Sequence, residues 1–332
     1  MIRTLLGVLA AVVLASSALA AEAPLSAAAQ VAQMKRGVNI LGYDPLWQDA
    51  AKARFQPRHF KVIKDGGFDH VRINLHGFRH MNGKSRLDPA WFATLDSLVR
   101  EALAQNLHVI LDEHDYEKCA DDTALCRRLV LAFWAQVGAH YKAAPNAVMF
   151  EILNEPNRKM DAQWNALLKE ALALIRKTNP TRNVIVGPSF WNNISHLPQL
   201  ELPVKDRHLI VTIHYYAPMH FTHQGASWAP EYQGVSGVGW GSAEERATLG
   251  KDFDEAQAWA KANDRPLLLG EFGAYDKAPL DSRVAYTAAV ARAAEQRGWA
   301  WSYWQFDSNF VVYRIDADRW NEPIYRALVP AP

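Results

Sequence analysis

The chain has 332 residues with 36 Lys and Arg against 35 Asp and Glu, and no long run of one sign, which argues against nucleic acid or any other polyanion as a partner. It has only two cysteines, and His208, His214, His220 and His223 match no helix-borne ligand pair, so no metal and no cofactor is expected. The twelve tryptophans can be core bulk or flat stacking platforms, and composition does not separate the two uses.

Arg3, the apolar segment Leu5 to Leu14 and the small-residue end Ala18-Leu19-Ala20 predict a cleavable signal peptide over residues 1–20, cut after Ala20. The apolar run is shorter than the roughly 20 residues that a bilayer requires, so no membrane association is expected after cleavage. The expected product is secreted or periplasmic. In an exported chain, Cys119 and Cys126, seven apart, are a candidate short-loop disulfide.

Residues 21–332 then carry eight short apolar runs that read as strands: Arg36–Leu41, His70–Leu75, His108–Asp112, Ala147–Leu153, Asn183–Gly187, Leu209–His214, Pro266–Gly270 and Ala300–Trp304. Helical patterns fall between them at Ala90–Ala104, Leu125–Ala143, Ala162–Thr178, Glu244–Ala262 and Ser282–Arg297, with weaker ones after strands one, five and eight. Alternation of this kind predicts a single-domain α/β fold, a (β/α)₈ TIM barrel, and no composition break marks a second domain.

Such barrels place their chemistry at the C-terminal ends of the strands. Strand two carries Arg72 and Asn74, then His76; strand three ends Asp112-Glu113-His114; strand four ends Asn154-Glu155-Pro156. Strand six ends His214-Tyr215-Tyr216, strand seven ends Glu271 and strand eight ends Trp304. Glu155 and Glu271, 271 − 155 = 116 residues apart, are expected to face each other across the barrel mouth as a catalytic pair. Glycoside hydrolysis requires such a pair, one carboxylic acid to protonate the departing oxygen and one carboxylate to attack the anomeric carbon.

Three motifs, Ile152-Leu153-Asn154-Glu155-Pro156, Leu269-Gly270-Glu271-Phe272-Gly273 and Val71-Arg72-Ile73-Asn74, resemble those of glycoside hydrolase family 5, the cellulase-type retaining enzymes, over nearly the whole mature chain. The resemblance implies that Glu155 is the general acid/base and Glu271 the nucleophile, and that Arg72, His114, Asn154, His214, Tyr216 and Trp304 bind substrate. It makes Arg72 the group that holds Glu271 ionised by lowering its pKa. Asn39, Trp47, His76, Trp191, Trp228 and Trp240 are candidates for outer sugar subsites.

The segment Gly42-Tyr43-Asp44-Pro45-Leu46-Trp47 lacks the Gly-Asn element common in the family's cellulases, and Ala217 to Gly241 is long and aromatic. Either segment can narrow a groove into a pocket. The expected activity is endo-β-1,4-glucan hydrolysis by a monomer acting on a β-linked polysaccharide or oligosaccharide. The alternatives are the same site acting on mannan or on β-1,3 or mixed-linkage glucan, exo action, or transglycosylation. A non-catalytic carbohydrate-binding barrel would typically have lost one of the two glutamates.

Overall fold

A computed structural model describes residues 22–331, so the expected signal peptide lies outside the described residues. Eight parallel strands close into a barrel in sequence order: β1 (Arg36–Ile40), β2 (His70–Asn74), β3 (His108–Asp112), β4 (Val148–Glu151), β5 (Val184–Val186), β6 (Leu209–Tyr215), β7 (Leu267–Phe272) and β8 (Ala300–Tyr303). Closure is made where Arg36 of β1 registers with Trp301 of β8. All eight expected strands are present, displaced by at most two residues at either end.

The helices are α1 (Ala27–Met34), α2 (Arg58–Asp65), α3 (Pro89–Ala104), α4 (Tyr116–Asp121), α5 (Thr123–His140), α6 (Trp164–Arg176), α7 (Ala243–Asn263), α8 (Leu280–Gln296) and α9 (Glu322–Leu328). Their starts are written in the sequence. Asp88 accepts from the Ala90 amide to cap α3, Asp122 caps α5, and Ser242 with Glu245 forms a reciprocal capping box on α7. Cys119 on α4 and Cys126 on α5 are disulfide-bonded, with their Cα atoms 4.5 Å apart, which ties the loop after β3 to the outer helix layer. Among the described residues no helix is long and apolar enough to cross a membrane.

The two-residue period of the strands sorts the barrel interior into layers. The lowest is apolar, with Ile110, Met149, Ile185, Ile210, Leu268 and Ala300 packed on Ala27, Val31 and Met34 of α1, which plugs the N-terminal end. Two residues further along the strands the interior turns polar, with Asn39, Arg72, Asp112, Glu151, Thr212 and Ser302 all fully buried. Between Ile213 and His214 the β6–β7 register slips, so that Ile213 pairs with Leu269 but His214 with Glu271. Gly270 is the extra residue of this bulge, and a side chain there would strike Thr212 Oγ1 at 2.3 Å. The bulge re-aims the strand, so that Glu271 faces the interior although it is three residues from inward-facing Leu268.

Candidate active site

Glu155 and Glu271 meet at the barrel mouth. Glu155 leaves β4 in a left-handed backbone conformation (φ 42°), and its Oε1 lies 2.8 Å from His214 Nδ1. The same nitrogen is 3.6 Å from Glu271 Oε2. One oxygen of each glutamate and this nitrogen lie within 4.8 Å of one another. Ligands about 2.0–2.1 Å from a tetrahedral metal sit about 3.3 Å apart, so the 2.8 Å contact is a hydrogen bond rather than two corners of a metal site.

Arg72 organises the floor. Its Nε and Nη2 donate to the two Glu151 oxygens at 2.7 and 2.8 Å, Nη1 donates to Glu271 Oε1 at 2.7 Å, and Nη2 stands 3.1 Å from Asp112 Oδ2. Two neutral acceptors complete the fork, Asn39 Oδ1 and Asn154 Oδ1, each at 2.8 Å. Anchoring Asn154 by its carbonyl leaves its amide N–H₂ as the group available to a ligand. Tyr216 donates its hydroxyl to Glu271 Oε2 at 2.9 Å, and burial together with the Glu271 charge holds the phenol neutral.

One guanidinium therefore serves three buried carboxyl groups, with Glu155 nearby as a fourth. Burial raises the Glu155 pKa to about 8, against the pull of Arg72 and with a further push from Asp112 and Glu151. Glu271 is also raised, to about 7, because burial outweighs the opposing pull of His214 and Arg72. This corrects the expectation that Arg72 sets Glu271 low. The guanidinium does pull in that direction, but burial of the carboxyl group outweighs it, and the guanidinium is shared with Glu151 and Asp112. His114 and His214 are held neutral, mainly by burial.

Residues 31–310 match the cellulase (glycosyl hydrolase family 5) family. The structures of Thermotoga maritima Cel5A in complex with cellobiose and with mannotriose superpose with a TM-score of 0.87 at 35% identity, over 91% of this chain and 100% of that one. This chain belongs to glycosyl hydrolase family 5.

Cellulose synthase subunit Z of Clostridioides difficile, 34% identical with a TM-score of 0.84, is covered over 99% of its chain and 89% of this one. Endoglucanase H of Acetivibrio thermocellus is 28% identical over 312 residues, 90% of this chain but 33% of that protein. The chain thus spans a third to a half of the first curated relatives it matches.

The eight residues expected to form the inner site, Glu155, Glu271, Arg72, His114, Asn154, His214, Tyr216 and Trp304, lie together. Trp304 stacks on His114 with ring centroids 5.4 Å apart, and His114 Nδ1 is fixed on Asp112 Oδ2 at 2.6 Å. The outer candidates divide. Trp191 and Trp228 are exposed and free to meet a ligand. Asn39 is not an outer subsite: it is fully buried and its amide donates to Gly270 O, where it ties β1 to β7 and accepts from Arg72. Trp47 is also buried, donates to Asn74 O and packs on Trp91, so it supports the β2 end from behind. Trp240 is covered by Tyr286 and Arg246, and His76 is spent on Gly42 O behind His114.

Three contributors were missed, Glu151, Tyr116 and Asn192. Glu151 is the principal partner of Arg72, and its signal was a lone carboxylate inside the apolar run of β4. Tyr116 abuts His114 at 5.8 Å, while Tyr43, from the segment expected to narrow the groove, is 70% exposed and stands edge-on to Trp304 at 6.1 Å. Asn192, buried beside His214, carried no signal in the sequence.

Proposed function

We propose that the chain is an exported retaining glycoside hydrolase that cuts β-1,4-glucan internally by double displacement. The observation that carries this reading is the approach of Glu155 and Glu271 oxygens to within 4.8 Å. Retaining enzymes hold their two carboxyl groups about 5–5.5 Å apart, whereas inverting ones leave roughly 6.5–9.5 Å to admit a water.

Glu155, with the higher pKa, donates its proton to the departing glycosidic oxygen while Glu271 attacks C1 and the C1–O bond breaks. The product of this half-reaction is a glycosyl ester on Glu271 and an ionised Glu155. Water, giving its proton to Glu155, then attacks C1 and releases Glu271. Arg72 and Tyr216 stabilise Glu271 whenever it is ionised, and the Asn154 amide is placed to meet the sugar 2-hydroxyl, a contact that strengthens in the transition state. His114 fixes Trp304, whose stacked ring supports the sugar.

Internal cutting is supported by Trp228, which packs on Tyr275 of the cluster that includes Trp304 and lies exposed to an extended chain. It is supported also by the endoglucanase activity named for several relatives. A second reading is mannan as substrate, favoured by the mannotriose complex of Thermotoga maritima Cel5A.

Carboxymethylcellulose, mixed-linkage glucan, laminarin, mannan and xylan, with products sized, discriminate these readings. An early fall in viscosity on the β-1,4-glucans is expected; exclusive release of terminal units would overturn internal cutting. The β-anomer should be released first, and first release of the α-anomer would contradict retention. Glu271→Ala should be rescued by azide on an activated aryl glycoside, giving an α-glycosyl azide. Export predicts a mature N-terminus at Ala21, which N-terminal sequencing of the protein from its native host reads directly.

A further inference from the structure

Asn192 lies outside the inner residues already described, yet it touches one of them in a way that decides a proton position. The segment Phe190-Trp191-Asn192 has three consecutive left-handed residues (φ 58°, 59° and 56°) and none is glycine. Phe and Trp rarely adopt this conformation, so the surrounding structure must hold the run in place. It does so from the Glu155 loop: Pro156 O accepts from the Trp191 amide at 3.1 Å and Asp161 Oδ1 accepts from the Phe190 amide at 2.8 Å. The result seats the Asn192 side chain, fully buried, against Gly187 on one side and His214 on the other, with Asn192 Nδ2 3.2 Å from His214 Nε2.

A neutral imidazole carries one proton on one of two nitrogens. Charged and titratable groups face His214 from several strands: Arg72, Asp112, Glu151 and Glu271 act on it, His114 is adjacent, and Glu155 is in direct contact. Its Nδ1 looks at two carboxyl groups, Glu155 at 2.8 Å and Glu271 at 3.6 Å. A lone pair there would oppose the charge on Glu271, whereas an N–H serves both. The Asn192 amide, by donating to Nε2, makes that nitrogen the acceptor and excludes the proton from it.

We propose that Asn192 is a positioning residue that locks His214 in the Nδ1–H tautomer, so that one N–H is shared between Glu155 and Glu271. The sharing follows the reaction proposed above, on which this inference rests. When Glu271 is consumed in the ester and Glu155 has lost its proton, the N–H turns wholly to Glu155 and stabilises the new carboxylate. Asn192 thereby acts on leaving-group departure without touching substrate.

Asn192→Asp tests this. The new carboxylate accepts but does not donate, so it draws the proton to Nε2. In ¹⁵N NMR of histidine-labelled protein, native His214 should show protonated Nδ1 and unprotonated Nε2, and the variant should show protonated Nε2. Hydrogen bonds to charged groups contribute about 1.5–3 kcal/mol, so kcat on a glycoside with a poor leaving group should fall roughly 10- to 100-fold. On a dinitrophenyl glycoside, which departs without protonation, the loss should be under about threefold. Equal losses on both substrates, an Nε2–H native ring, or an unaltered tautomer in the variant would each overturn the inference. The tautomer measurement needs no turnover, so an inactive native protein would sink the hydrolase reading while leaving this one still decided by NMR.

Discussion

Arg72→Met removes the charge on which the barrel floor is built. The guanidinium is fully buried and lies within 3.1 Å of Glu151, Glu271 and Asp112, and its loss strands three buried carboxyl groups. Breaking one partner out of a buried ion pair costs about 3–5 kcal/mol unless the remaining charge is neutralised, and protonation is the available relief. An adjacent arginine lowers a carboxyl pKa by about 1–3. Taking about 2 for Glu271, which starts near 7, the ionised fraction at pH 7 falls from about one half to about one in a hundred. The corresponding loss in kcat/KM at pH 7 is about 50-fold, or about 2.3 kcal/mol. Arg72 also lowers the Glu155 pKa, so both limbs of the bell-shaped kcat/KM profile should move to higher pH together. The assay is kcat/KM against pH on a soluble aryl glycoside, with Arg72→Lys alongside. Lysine keeps the charge but not the fork, so it should show a smaller displacement and guards against misfolding of the methionine variant. A uniform fall at every pH with unmoved limbs would refute the charge argument.

Glu155→Gln should stabilise the protein as pH rises. The native state binds the Glu155 proton up to about pH 8 and the unfolded chain only to about 4.5, so stability is lost as pH rises between these values. Removing the titration should therefore add on the order of 2–4 kcal/mol to unfolding stability at pH 8 and almost nothing at pH 4, read by chemical denaturation. Tyr216→Phe deletes a charge-assisted bond to Glu271 and should lower kcat/KM about 10-fold at neutral pH while moving the acid limb up; an unmoved limb would mean that the hydroxyl does not stabilise the carboxylate. Cys119→Ser with Cys126→Ser should lower stability by about 2.5 kcal/mol, the entropy of so short a closed loop, measured by urea unfolding against the oxidised protein. Trp228→Ala should raise KM on long β-glucans several-fold with turnover of a short aryl glycoside unchanged, which product-length kinetics would read.

The barrel was legible because parallel strands buried on both faces are continuous apolar runs, and a carboxylate, imidazole or guanidinium at the end of such a run is conspicuous. Glu155, Glu271, Arg72 and His214 stood out for that reason. Burial was not legible in loops. Trp47 and Trp228 both follow strand ends among glycines and aromatics, yet one is a wedge behind β2 and the other lies open, because the difference depends on Trp91 and Tyr275 arriving from distant segments. The Gly270 bulge left no mark, since glycine next to a catalytic motif has several readings. The Glu271 pKa was misjudged for a related reason: a pairwise reading saw Arg72 and Glu271, while the burial that outweighs this pull comes from segments distant in sequence, and Glu151, which shares the guanidinium, sat unremarked inside β4.

That competition explains what the site needs from its neutral residues. Four carboxyl groups around one permanent cation cannot all be ionised, so a proton is retained by the Glu155–Glu271 pair near neutrality and the two titrate as a unit. Burial raises Glu155 further than Glu271, so that proton resides preferentially on Glu155. The margin is small, and it is set by donors that bear no charge or share one: Tyr216 on Glu271, the remaining arm of Arg72, and the His214 N–H standing between both. A second cation would favour ionisation of both glutamates and weaken the acid; loss of the first would favour protonation of both and weaken the nucleophile at neutral pH. The asparagines at positions 39, 74 and 154 hold the surrounding groups in place by hydrogen bonds alone, which leaves the charge balance of the pair undisturbed.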